Sequence, residues 1–179
     1  MKKLILIAVV SAISFAGFSQ TSKGTWLAGG TAGFSSLKTG DAKLTTIDLS
    51  PNVGYFLINN LALGLNVQIA SATSNSGVSG SSDVTSTSSY FGPQVRYYFT
   101  SLGKNAKLFG NGTFVVGSTK VGSSASVSST GWGLSAGSAF FLNKNVALEV
   151  ALGYSSAKVK DATESTNAIG LQAGFQIHL

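Results

Sequence analysis

Apolar side chains recur at every second position over eight separate stretches of this chain, and that period of two constrains the fold more than any other feature. Ile47, Leu49, Pro51, Val53 and Tyr55 fall on one side of an extended backbone, while Thr46, Asp48, Ser50, Asn52 and Gly54 fall on the other. A helix would scramble both sets. The same rule sorts Trp26, Ala28, Gly30, Ala32 and Phe34; Leu61, Leu63, Leu65, Val67 and Ile69; Phe91, Pro93, Val95, Tyr97 and Phe99; Trp132, Leu134, Ala136, Ser138 and Phe140; Val146, Leu148, Val150, Leu152 and Tyr154; and Ile169, Leu171, Ala173, Phe175, Ile177 and Leu179. A stretch from about 107 to 117 is less regular, because Phe109 and Val115 share the side of Asn111 and Thr113. The prediction is an all-β chain of eight strands.

Charge decides what the apolar face meets. Hydrophobic residues make up 44% of the 179 positions and charged residues only 10%, which is unusual for a soluble domain. Asp48, Arg96 and Glu149 are the ionisable residues well inside the eight stretches, and all three lie on the small, polar face. An exposed Lys or Arg at the middle of a bilayer costs about 2–4 kcal/mol, so a face cleared of charge fits contact with lipid. A soluble, lipocalin-like binder would invert the pattern, with apolar residues around a ligand and charges outside.

Lys2 and Lys3 precede an apolar run from Leu4 to Val10, and Gly17-Phe18-Ser19 provides small residues for cleavage. Residues 1–19 therefore read as a cleavable signal peptide and 20–179 as a single barrel domain. The run is too short to span a bilayer as a helix, which needs about 20 apolar residues. Removing Lys2 and Lys3 lowers a net charge of +6, and the remainder is too dispersed to support nucleic-acid binding. With no cysteine, disulfides, thiolate metal sites and thiol nucleophiles are excluded.

The connections alternate between tight turns, near Asn59-Asn60, Gly103-Lys104 and Asn143-Lys144, and Ser/Thr/Gly-rich loops at about 36–45, 72–88, 118–129 and 156–166. Tyr55-Phe56-Leu57-Ile58-Asn59-Asn60-Leu61-Ala62-Leu63 aligns with Phe140-Phe141-Leu142-Asn143-Lys144-Asn145-Val146-Ala147-Leu148, which marks the β-hairpin as the repeating unit. Both ends of an eight-stranded sheet fall on the short-turn side, so the first strand can pair with the last and leave no edge in lipid.

The leader, the hairpin units, the pattern Pro51-Asn52-Val53-Gly54-Tyr55 echoed in Pro93-Gln94-Val95-Arg96-Tyr97, and the alternating terminal segment resemble the small outer-membrane β-barrel or porin family, of the OmpX, OmpW and OmpA transmembrane-domain kind. The resemblance covers essentially the whole mature chain. It implies an eight-stranded antiparallel up-and-down transmembrane β-barrel in the outer membrane of a Gram-negative envelope, with outer-membrane lipids and the outer-membrane assembly machinery as partners. The family's last strand usually ends in an aromatic residue; this chain ends in Leu179.

Two groups of candidate site residues follow from parity. Asp48, Asn66, Gln94, Arg96 and Glu149 point into the lumen and form a structural polar network, with Arg96 and Glu149 at similar depth as its ion pair, because a lone charge in a narrow lumen needs a partner. Trp26, Tyr55, Tyr97, Phe99 and Phe140 on the short-turn side, and Phe34, Phe91, Trp132 and Tyr154 on the long-loop side, form two aromatic girdles. His178 is the single histidine and lies at the short-turn end, away from the serine-rich loops, so a serine triad has no base. Neither a cofactor nor a metal is expected. The leading expectation is a non-enzymatic outer-membrane barrel with a structural or surface-interaction role in the cell envelope and an unknown surface ligand. Its alternatives are a narrow porin-like channel for small solutes and a lipid-modifying barrel enzyme.

Overall fold

The computed structural model describes residues 20–39, 41–77, 82–103, 105–160 and 162–179. The leader at 1–19 lies outside them, as does Lys104 of the second tight turn. Eight strands follow one another: β1 (Trp26–Thr39), β2 (Ala42–Ile58), β3 (Leu61–Asn75), β4 (Val84–Ser101), β5 (Ala106–Val121), β6 (Val127–Phe141), β7 (Val146–Val159) and β8 (Thr166–His178). Each pairs antiparallel with its sequence neighbours, and β1 pairs with β8 to close the barrel.

The alternation of residue types becomes an alternation of exposure. From Phe91 to Phe99 along β4, the odd positions are exposed and Gly92, Gln94, Arg96 and Tyr98 are buried. The irregular fifth stretch obeys the same rule, with Phe109 and Val115 buried inside while Phe114 and Val116 face outward. The outer wall is a continuous belt of Leu, Val, Ile and aromatic side chains. In water such an area would be a strong drive to associate; in a bilayer it is the solvated face.

The strands run further toward the loop side than the apolar pattern extends, which corrects the expected loop limits. Ser36 pairs with Thr45, Thr73 with Thr85, Ser88 with Thr119 and Ser129 with Val159. Ser/Thr-rich stretches read as loops because they lack an apolar face, yet ladder hydrogen bonds need only backbone, and hydroxyls add cross-strand bonds. Thr73 bonds Thr85 at 3.2 Å and Ser88 bonds Thr119 at 2.8 Å. The longer strands also carry outward charges beyond the apolar belt, at Lys38, Lys43, Lys120 and Lys158, all exposed. The rule that outward positions are uncharged therefore holds for the lipid belt but not for the full strands.

At the opposite end the turns are tight. Asn60 adopts φ 69° in the turn joining β2 to β3, a left-handed conformation that Asn tolerates better than most residues. Register shifts fall just before this turn, between Phe56 and Ile58, and near the next, between Tyr98 and Thr100. The segment before β1 lies against this end: Thr21 is buried, its hydroxyl donates to Asn60 Oδ1 at 2.6 Å, and Lys107 Nζ donates to Thr21 Oγ1 at 2.7 Å.

Candidate functional site

An eight-stranded barrel is just wide enough for side chains to fill, so what the inward residues are decides what the lumen can do. Toward the short turns they are large. Leu27, Phe56, Tyr98, Phe109 and Phe141 are buried together with His178. The His178 ring lies 5.9 Å from Phe56, 5.9 Å from Tyr98 and 5.2 Å from Phe141, spacings typical of packed aromatic pairs. Inward Ala62, Ala139 and Ala147 leave room for these rings. The result is a closed floor.

Directly against the floor, Arg96 of β4 reaches to Glu149 of β7, with Nη1 donating to both carboxylate oxygens at 2.8 and 2.9 Å. The two side chains are 4% and 2% exposed. The Tyr98 hydroxyl donates to Glu149 Oε1 at 3.3 Å, and the guanidinium lies 4.6 Å from the centre of the Phe109 ring. Local sequence makes space for this: Arg96 sits beside Ala62, and Glu149 between Ala139 and Gly174 on the neighbouring strands. Such a pair is held by mutual neutralisation plus extra donors, because an isolated charge at this burial is strongly disfavoured.

The other three expected members of the network stand apart. Asn66 donates to the carbonyl of Pro51 at 3.5 Å, and Gln94 and Asp48 line the space above the pair. None of the three makes a hydrogen bond to Arg96 or Glu149 among the described residues. Strand stagger is the reason: parity determines which face a residue takes, but depth depends on the tilt of each strand. Phe109 takes the inward face expected from its place beside Asn111 and Thr113, and Tyr98 and Phe56, which lie outside the candidate set, join it in the lumen; inward aromatics near each tight turn are visible once parity is followed past the apolar rows.

Above the pair lies a cavity of about 590 Å³, lined by polar groups that include Asp48, Asn66, Gln68, Asn111, Thr113 and Gln172. The lumen is thus a cup, polar toward the loops and sealed by rings toward the turns. On the outside, Trp26 meets Tyr55 with centroids 5.2 Å apart, Tyr97 meets Phe99 at 5.1 Å, and Trp132 meets Tyr154 at 5.4 Å. Phe140, Phe34 and Phe91 are exposed on the same wall.

The family model described as an outer membrane protein beta-barrel domain matches residues 5–178. In fold, the chain is similar to the crystal structure of Neisserial surface protein A, with a TM-score of 0.56 and 18% identity over 87% of this chain and 97% of that one. It is similar too to the outer membrane protein OprG from Pseudomonas aeruginosa, with a TM-score of 0.57 and 15% identity over 90% of this chain and 99% of that one. No curated protein matches the sequence.

Proposed function

The chain belongs to the outer-membrane protein β-barrel domain family, and from that membership we propose that it is a non-enzymatic barrel with a structural and surface-interaction role in the cell envelope. It resides in the outer membrane, with its apolar belt in contact with the lipids there. One observation favours this role over a transmembrane channel. The lumen ends on the rings of Phe56, Tyr98, Phe109, Phe141 and His178, with the Arg96–Glu149 pair laid across the bore above them. A solute or ion crossing that floor would have to displace packed aromatics and break a buried ion pair, each a costly step.

The placement of His178 supports a non-catalytic reading. It is buried among rings at the turn end, remote from the serine-rich loop side, whereas a general base must reach its nucleophile directly or through one water. Residues 1–19 are removed on export, the outer-membrane assembly machinery inserts the mature chain, and the two sets of outward aromatics lie at the two membrane interfaces. The Arg96–Glu149 pair, with Tyr98 beside it, acts structurally.

Planar-bilayer recording of the refolded mature protein tests the reading. The expected trace is free of discrete steps; reproducible unitary conductance in the unmodified protein would replace the structural role with that of a channel. Intact mass of the protein purified from outer membranes is expected to correspond to a chain beginning at Gln20.

A further inference from the structure

We propose that the barrel wall opens sideways between the loop-side halves of β1 and β8, and that this slot holds the hydrocarbon tail of an amphiphile whose cationic head sits in the lumen beside Asp48. The pairing of β1 with β8 runs only from Leu27 opposite His178 to Ala32 opposite Ala173. Beyond that point β1 continues to Thr39 and β8 reaches back to Thr166, each still paired on its other side. Continued in register, the ladder would place Phe34 opposite Leu171 and Ser36 opposite Ile169, and it does not form there.

The gap begins at the loop-side rim of the lipid belt, at the level of the outward aromatics there. Phe34 is level with Ile47, and Ile169 with Tyr154, both outward members of that belt. Phe34, Ile169 and Leu171 are 72%, 74% and 77% exposed, more than any other large apolar side chain among the described residues. The polar cavity reaches the same place, since its lining includes Phe34, Ile169 and Leu171 together with Gly33, Gly170 and Gln172. A Cβ added at Gly170 would meet nothing within 4 Å. Unpaired backbone at membrane depth is tolerated where it lines a water-filled space, and the cavity behind the slot provides one.

Charge selects the occupant. The Asp48 carboxylate leans over Gly33, close enough that a Cβ there would collide with it, so a negative group stands at the inner mouth of the slot. Among the described residues, Arg96 is the cation that lines the cavity and it is already neutralised by Glu149, whereas Asp48 has no ion-pair partner. An apolar rim opening onto a lone carboxylate fits an alkyl chain bearing an ammonium group. It fits a fatty acid poorly, whose head would repel Asp48.

The test uses the mature protein refolded in phosphatidylcholine nanodiscs and a dodecylamine carrying a diazirine near its tail end. Photolabelled peptides are expected to centre on Phe34, Ile169 and Leu171. Unlabelled dodecylamine is expected to suppress the signal and dodecanoate to leave it unchanged. Asp48→Asn, shown to be folded by heat-modifiable migration, is expected to lower labelling about tenfold, the loss of one charge-assisted contact. In Phe34→Cys/Leu171→Cys, whose thiols would be the only two in the chain, oxidation is expected to remove labelling and reduction to restore it. Labelling spread evenly round the belt to Val95 and Val150, equal suppression by dodecanoate, or full labelling in Asp48→Asn would overturn the proposal. Disulfide dimers formed by Leu171→Cys alone would also overturn it, by assigning the slot to a second copy. None of these outcomes bears on the conductance test of the sealed floor.

Discussion

Arg96 and Glu149 behave as one unit, and the energetics of that unit can be measured. With both side chains almost wholly buried, removing either partner leaves an uncompensated charge, a loss of roughly 3–5 kcal/mol. Arg96→Met and Glu149→Leu are each expected to destabilise the barrel by about that amount in urea unfolding from lipid vesicles, and the double variant by clearly less than the sum. Additive losses would count against direct coupling. Tyr98→Phe removes a single 3.3 Å bond to the carboxylate and is expected to cost about 1 kcal/mol on the same assay. Parity alone assigns Arg96, Glu149, Asp48, Asn66 and Gln94 to the lumen, but it carries no information on depth. Depth is set by strand stagger, which brings Tyr98 to the ionic contact and leaves Asp48 toward the cavity mouth.

Among the elements, the boundary between lipid-facing strand and water-facing strand is chemical and does not interrupt the ladder. Backbone pairing continues through Ser36–Thr45, Thr73–Thr85, Ser88–Thr119 and Ser129–Val159. Amide hydrogen exchange at Thr73, Ser88 and Thr119 is therefore expected to be slow, close to that of the belt positions and unlike that of free loops; exchange at loop rates would show that pairing ends with the apolar rows. The same boundary governs charge tolerance. Val150→Lys, within the belt, is expected to destabilise by about 2–4 kcal/mol, whereas Lys120→Ala, beyond it, is expected to change stability by less than about 0.5 kcal/mol, both read from unfolding midpoints.

For the whole molecule, closing eight strands gives a bore that ordinary side chains can block, and here rings block the turn end while amides and hydroxyls leave the loop end open. The seal is expected to depend on ring volume. Phe56→Ala/Phe141→Ala in an Arg96→Ala background, still heat-modifiable on gels, is expected to produce conductance steps absent from the unmodified barrel. A silent bilayer with that variant would locate the barrier elsewhere in the lumen.

Strand number, antiparallel closure and lipid contact were determined by the amino-acid order itself, because a period of two with one charge-free face leaves few other stable arrangements in a membrane. The outward aromatics and the inward set follow from the same parity, as Trp26 beside Tyr55 and Trp132 beside Tyr154 illustrate. The Arg96–Glu149 pair was legible as well, from parity and similar depth. Only the tertiary structure decided the stacking of rings around His178, the contact of Tyr98 with Glu149, the separation of Asp48 from the ion pair, and the parting of β1 from β8 above Ala32. Each of these depends on stagger and tilt, which relate residues far apart in the chain, and a local repeat of two residues carries no record of them.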